Sequence, residues 1–191
     1  MPTLDRGFKS FAERTAASLR KELGLPPYDP LEPIALARFL GVTLLEPRQI
    51  AGLPRDVIQQ LLEVDPWGWS AVTLLFGDEV LVIYNPRKST GRRASDIMHE
   101  LAHVVLNHEP STLILSQDGA VGMRTFNAKQ EDEANWLSWC LLLPREALVK
   151  ARRARLTVAQ IADRYGVSEV LVSFRLRISG IDVQLNRRPR K

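Results

Sequence analysis

The hydrophobic and polar positions in the first third of the chain predict short helices around one brief strand. Apolar side chains of residues 4–24 recur at helical spacing, and Gly24 with the prolines after it ends that pattern. A second helix is predicted over residues 30–41 and a strand over 42–47. A third helix is predicted over residues 54–63.

A β-hairpin is predicted next. Residues 71–76 and 79–84 are rich in β-branched and large apolar side chains. Gly77-Asp78 joins them, and a two-residue link of this kind is typical of a tight hairpin turn. The sequence therefore predicts two antiparallel strands here.

The helix after the hairpin carries unusual chemistry. It is predicted to begin with Ser95 as its N-cap and to run to about Asn107, with Pro110 beyond its end. The helix is apolar on most of its circumference, so it should be buried. His99 and His103 lie one turn apart and about 40° apart around it, so both rings can reach one point.

His99, Glu100 and His103 form the pattern H-E-x-x-H, which is typical of a zinc hydrolase. Neutral imidazole is a good zinc ligand, and a catalytic zinc site takes three protein ligands. Glu100 could take a proton from a water molecule beside them. His108 lies about 140° from His103 on a continuing helix, so we exclude it as a ligand. The alternative is a core helix that binds no metal. Its histidines would then need hydrogen-bond partners, because a buried polar group without one costs about 1–3 kcal/mol.

A third ligand is expected in the acid-rich segment 129–143, which opens a helix that turns apolar. Glu131 and Asn135 share one face of that helix, whereas Glu133 points nearly opposite to Glu131. Acids in a first turn are also explained by the helix dipole alone. The residues by themselves leave the choice among Glu131, Asp132 and Glu133 open.

The stretch "HELAHVVLNH" followed by "EDEANWLSWCLLLP" resembles the ImmA/IrrE family of zinc metallo-endopeptidases. That family typically shows H-E-[LI]-[GA]-H and then E-x-x-A-[ND]-x-F-A-x-x-L-L-x-P. The resemblance implies that His99, His103 and Glu131 bind Zn²⁺ and that Glu100 is the general base. Mn²⁺ is also compatible with this ligand set. The chain departs from the pattern at residues 136–138, where packing side chains differ.

We therefore expect an α+β fold with a zincin-like core, in which a small sheet packs on the helix of the H-E-x-x-H motif. This domain should cover residues 1–150, and residues 151–191 should form a helical subdomain with a basic tail. The resemblance implies a zinc-dependent endopeptidase that cleaves a helix-turn-helix transcriptional repressor, in a stress response or in mobile-element control. The alternative is a non-catalytic regulator that binds the repressor, or DNA, through its C-terminal segment.

The C-terminal segment has helix-turn-helix spacing, set by Ala162, Gly166 and Ser168. A DNA-reading helix should present Arg, Lys, Asn or Gln to base edges, but this second helix opens with Glu and apolar residues. Arg175 and Arg177 could contact phosphates and would hardly specify a sequence. We expect a packed helical subdomain rather than direct DNA binding.

Composition adds few constraints. The net charge of +4 and pI near 9.5 favour acidic partners only weakly, because much of the excess lies in the short runs 150–155 and 187–191. The single cysteine, Cys140, excludes an internal disulfide and indicates a reducing compartment. No signal-peptide pattern and no apolar run near the roughly 20 residues of a membrane span is present. We expect a cytoplasmic protein.

Overall fold

The computed structural model describes residues 4–76, 79–108 and 127–186. It is a mixed α+β fold, mostly helical, with a small three-stranded sheet. The helices are α1 (Phe8–Glu22), α2 (Pro33–Phe39), α3 (Arg55–Gln59), α4 (Thr90–Val105), α5 (Ala128–Leu142), α6 (Arg145–Arg153), α7 (Val158–Tyr165), α8 (Glu169–Ser179) and α9 (Ile181–Asn186). Gly77-Asp78, Pro110 and the basic tail 187–191 lie outside the described residues.

The sheet contains β1 (Val42–Leu45), β2 (Ala71–Phe76) and β3 (Glu79–Tyr84) in the order β1-β3-β2. β2 runs antiparallel to β3, with Ala71 opposite Tyr84, which confirms the two predicted hairpin strands. β1 runs parallel to β3, with Val42 opposite Val80. Among the described strands β2 therefore lies at an edge, and its outer backbone groups face away from the sheet.

The predicted start of α4 is wrong. Ser89 is the N-cap, and Ser95 lies inside the helix, where its hydroxyl donates to the carbonyl of Gly91 at 3.0 Å. Gly91 is a weak helix former, but a Cβ there would come within 3.3 Å of the carbonyl of Gly166. Close packing against the α7–α8 turn thus favours glycine at this position. Helix propensity alone did not predict that α4 would include Gly91.

The early helices follow the predictions more closely. α1 is shorter than the predicted span 4–24, and Phe11, one of the apolar residues at helical spacing in that span, is 43% exposed. The predicted third helix is present, but only its first part, α3, is an α-helix, and residues 60–64 continue it as a π-helix. None of the described helices combines the length and apolarity that crossing a membrane demands.

One hydrophobic core joins the sheet to the helices. α4 contacts β2, β3 and α5, and α1 also packs on α5. Ile161, Val172 and Ile181 of the C-terminal helices are buried in the same cluster as Leu101 of α4. The division at residue 150 stays a prediction.

Two buried arginines bind the C-terminal end of α5. Arg20 donates to the carbonyl of Leu141, and burial lowers the pKa of its guanidinium to about 10. Arg175, which is 1% exposed, donates to the carbonyl of Leu143 at 2.9 Å and to Glu13 at 2.7 Å. These cations complement the negative end of the helix dipole. Arg175 is therefore buried and does not offer the phosphate contact that the DNA-binding alternative would use.

The C-terminal helices form the predicted turn. Gly166 adopts a left-handed conformation with φ of 61° at the end of α7. The side chain of Ser168 then accepts a hydrogen bond from the backbone of Leu171 and caps α8. The helix-turn-helix spacing is confirmed as local geometry, although its Arg175 packs inward.

Candidate metal centre

The two histidines of the H-E-x-x-H motif face each other on α4. The Nε2 atoms of His99 and His103 lie 3.2 Å apart, and their ring centroids lie 4.8 Å apart. Their side chains are 20% and 15% exposed. The prediction that both rings can reach one point is confirmed.

Glu131 brings a carboxylate to the same point from α5. Its Oε2 lies 3.2 Å from Nε2 of His99, and its Oε1 lies 3.6 Å from Nε2 of His103. Asn127 caps α5 by accepting from the backbone amides of Lys129 and Gln130, so the helix begins one turn before the carboxylate. α5 packs directly on α4, with the small Ala134 fully buried.

The three side chains fit a tetrahedral zinc ion. Each offers one ligand atom, and these atoms all lie within 4.8 Å of one another. Tetrahedral zinc with bonds of about 2.0–2.1 Å places its ligand atoms roughly 3.3–3.4 Å apart. The 3.2 Å from Nε2 of His99 to Nε2 of His103 and the 3.2 Å from Nε2 of His99 to Oε2 of Glu131 are close to that separation. The cluster of His99, His103 and Glu131 is consistent with a zinc site of the H-E-x-x-H type. Asp132 and Glu133 do not belong to this cluster of described residues.

Glu100 lies beside this cluster and is 4% exposed. The hydroxyl of Thr73, on β2, donates to its Oε2 at 2.5 Å. Both Glu100 and the cluster residues His99 and Glu131 line one cavity of about 800 Å³. A carboxylate that is held in place at the wall of such a cavity is well positioned for proton transfer.

The cavity is lined by both polar and apolar side chains. Asn135 of α5 lines it next to Glu131, as expected from their shared helix face. β2 contributes Ala71 and Val72. Its apolar lining residues include Ile50, Leu53, Leu61, Trp69 and Ile83. A volume of this size accommodates a short stretch of peptide with its side chains.

One ion pair lies along the same face of α4. Nε of Arg92 donates to Oδ1 of Asp96 at 2.9 Å, and Asp96 is 8% exposed. Burial raises the pKa of the Asp96 carboxyl above its usual value, and the Arg92 guanidinium opposes that shift. Both residues line the cavity.

His108 was placed wrongly by the assumption of a continuing helix. α4 ends at Val105, and Asn107 adopts φ of 51°. The backbone amide of His108 then donates to the carbonyl of His103 at 3.0 Å, as in a Schellman motif. This turn brings Nδ1 of His108 to 3.0 Å from Nδ1 of His103. Its exclusion from the three-residue cluster holds among the described residues.

His108 also contacts an acidic residue of α5. Nε2 of His108 lies 3.2 Å from Oε2 of Glu133, and the two side chains are 7% and 14% exposed. Glu133 thus faces the far side of His103 and not the cluster. Sequence reasoning missed this contact. The available signal was Asn107, because Asn is the residue after Gly that most readily ends a helix in a left-handed conformation.

Comparison with known proteins places the chain in a family. Residues 72–177 match the IrrE N-terminal-like domain of peptidase family M78, and the chain belongs to that family. This agrees with the resemblance carried by its motifs. No curated protein matches the chain significantly.

A solved structure of a Mycobacterium tuberculosis transcriptional regulator is similar, with a TM-score of 0.55 and 18% sequence identity. The match covers 87% of this chain and 46% of that one, so the present chain spans about half the length of its structural relative. At this identity the similarity supports the fold.

Proposed function

We propose that this protein is a zinc-dependent endopeptidase with a zincin-like core. His99, His103 and Glu131 would hold the metal, with Mn²⁺ as an alternative occupant. The observation that carries the proposal is that Glu100 lines one cavity together with His99 and Glu131 of this cluster. The membership of the chain in a peptidase family supports it independently.

Glu100 would serve as the general base. When bound, the metal supplies Lewis-acid polarisation of the scissile carbonyl and acidifies a water molecule. Glu100 accepts a proton as the water oxygen attacks the carbonyl carbon. It then delivers that proton to the amine nitrogen as the C–N bond breaks. Thr73 keeps the Glu100 carboxylate at the cavity wall throughout.

β2 would hold the substrate. It is an edge strand among the described strands, and its residues Ala71 and Val72 line the cavity. An extended peptide can add to such an edge through backbone hydrogen bonds, while pockets select alternate side chains. The scissile bond would then lie over the cluster, and an apolar side chain would enter toward Trp69.

The proposed substrate is a helix-turn-helix transcriptional repressor, and its cleavage would relieve repression. This substrate class is what the ImmA/IrrE resemblance implies. Cleavage of a transcriptional repressor also places the proposed activity in the cytoplasm. The single thiol of Cys140 is compatible with that compartment.

The test is incubation of the purified protein with the helix-turn-helix repressor encoded nearest to its gene, read by intact mass. Two new fragments should appear with zinc and should be absent with a chelator. Glu100→Gln should retain about one zinc per chain and lose cleavage by at least about 10²-fold. Glu131→Gln should lose both zinc and cleavage.

Two outcomes would overturn the proposal. The first is a Glu100→Gln protein that holds zinc and still cleaves at the wild-type rate. The second is a stable complex with an intact repressor in the presence of zinc, which would favour a non-catalytic regulator. A DNA footprint indifferent to chelator would favour the DNA-binding alternative.

A further inference from the structure

We propose that His108 and Glu133 are positioning residues that fix the orientation and tautomer of His103 for metal binding. The inference rests on the proposed function, because it assigns a role toward the same metal. His108 and Glu133 would not touch the metal, the substrate or the reacting atoms. They would act through the ring of His103.

The geometry forms a continuous chain of contacts. Nε2 of His103 faces the cluster, at 3.2 Å from Nε2 of His99 and 3.6 Å from Oε1 of Glu131. Its opposite ring nitrogen, Nδ1, lies 3.0 Å from Nδ1 of His108. Nε2 of His108 then lies 3.2 Å from Oε2 of Glu133. Each ring nitrogen therefore has a partner within hydrogen-bonding distance.

These contacts are compatible with only one arrangement of protons when His103 binds a metal. A metal-binding Nε2 must be unprotonated, so Nδ1 of His103 carries the proton and donates it. Nδ1 of His108 must then accept, which places the proton of His108 on Nε2. That N–H donates to the carboxylate of Glu133, an acceptor when ionised. Every donor thus meets an acceptor.

Burial strengthens the hydrogen bonds that link His103, His108 and Glu133. The side chains of His108 and Glu133 are 7% and 14% exposed, so water competes poorly for their polar atoms. A hydrogen bond to a carboxylate is stronger than one between neutral groups. It polarises the ring of His108 and makes His103 a better electron donor. Histidine ligands commonly use a carboxylate in this way, and here an imidazole lies between the two.

The backbone is shaped for the contact. Asn107 adopts φ of 51°, a conformation that non-glycine residues seldom take. The resulting turn reverses the chain immediately after α4 and directs His108 back to His103. On a continuing helix the two rings would diverge by about 140°. The Schellman turn thus both stabilises the end of α4 and places the imidazole of His108 next to His103.

The experiment measures zinc affinity by competition with a chromophoric chelator, on the full chain. His108→Ala and Glu133→Ala should each raise the zinc dissociation constant about 10–100-fold. Because both residues act in series on one ring, the double variant should be little worse than His108→Ala. His108→Gln should recover part of the affinity, since its amide oxygen can accept from Nδ1 of His103.

A matched control comes from Lys129, whose Nζ lies 3.9 Å from Oε1 of Glu133 and 2.6 Å from Asp5. Lys129→Ala removes the exposed cation near Glu133 without touching either histidine. Its zinc affinity should stay within about twofold of wild type, because exposed ion pairs contribute little. Cobalt-substituted protein should show a changed visible absorption band in His108→Ala and an unchanged band in Lys129→Ala.

The outcomes separate this inference from the proposed function. Wild-type zinc affinity and an unchanged cobalt band in both His108→Ala and Glu133→Ala would overturn the positioning role and leave the metal site standing. Retention of zinc by His99→Ala and Glu131→Gln would overturn the metal site itself. If His108→Ala unfolds without metal, Glu133→Leu replaces it, because leucine offers no hydrogen-bond acceptor to His108. An affinity equal to that of Lys129→Ala would then contradict the proposal.

Discussion

The hydroxyl of Thr73 on β2 donates a 2.5 Å hydrogen bond to Oε2 of Glu100 on α4. This contact joins the edge strand of the sheet to the carboxylate beside the metal cluster. It therefore couples the surface proposed to hold the peptide to the group proposed to move the proton.

Thr73→Val should lower kcat/KM for repressor cleavage by about 10-fold without changing the zinc content. The isosteric substitution keeps the side-chain volume and removes the hydrogen bond that holds Glu100, so the carboxylate loses its fixed orientation. Thr73→Ser retains a hydroxyl and should recover most of the activity. Equal activity in Thr73→Val and wild type would show that this bond does not position Glu100.

Arg175→Ala should lower the free energy of unfolding by about 3 kcal/mol, because it leaves the carbonyl of Leu143 and the carboxylate of Glu13 without their buried cation. Arg177→Ala is the matched control on the same helix. Arg177 is exposed and lies 5.5 Å over the ring of Phe174, so its loss should cost less than about 1 kcal/mol. Urea unfolding of both variants measures the difference, and similar values would contradict the structural role of Arg175.

Cys140 should resist thiol reagents in the folded protein. It is fully buried, and burial raises the pKa of its thiol to about 12. At pH 8 only about one molecule in 10⁴ would carry the thiolate, against roughly a quarter for an ordinary cysteine. Labelling with an aromatic disulfide reagent should be slow in buffer and rapid in urea. Rapid stoichiometric labelling without denaturant would show that the core opens readily.

Asp96→Asn should gain stability relative to wild type as the pH rises from below the usual pKa of an aspartate through the raised folded-state pKa of Asp96. Burial raises the folded-state pKa of Asp96, so the stability due to its protonated form is present below the usual pKa of about 4. That contribution is lost as the pH rises through the folded-state pKa. The uncharged amide does not titrate, so the difference between the proteins should grow with pH.

Urea unfolding at several pH values measures this difference. Arg92→Ala is the companion variant: because Arg92 lowers the pKa of Asp96, its removal should move the wild-type loss of stability to higher pH. A pH-independent difference between Asp96→Asn and wild type would contradict the raised pKa.

The sequence by itself determined the features that depend on local geometry. His99 and His103 meet because residues four apart on any α-helix lie on one face. The strands 71–76 and 79–84 were predicted because β-rich runs flanking a short polar link favour a hairpin. The turn at Gly166 was predicted because glycine adopts positive φ without a steric cost.

The tertiary structure decided which distant groups meet. Glu131, and not Glu133, reaches His99 and His103 because α5 packs on α4 with one particular face. Arg175 points into the core because the end of α5 and Glu13 of α1 offer buried acceptors. His108 turns back to His103 through the local left-handed conformation of Asn107, but its contact with Glu133 depends on how α5 packs beside the end of α4. Local propensity determines which way side chains point along a single helix or strand. The contacts between residues of different elements depend on how those elements pack together, and that packing is decided by burial of the shared core.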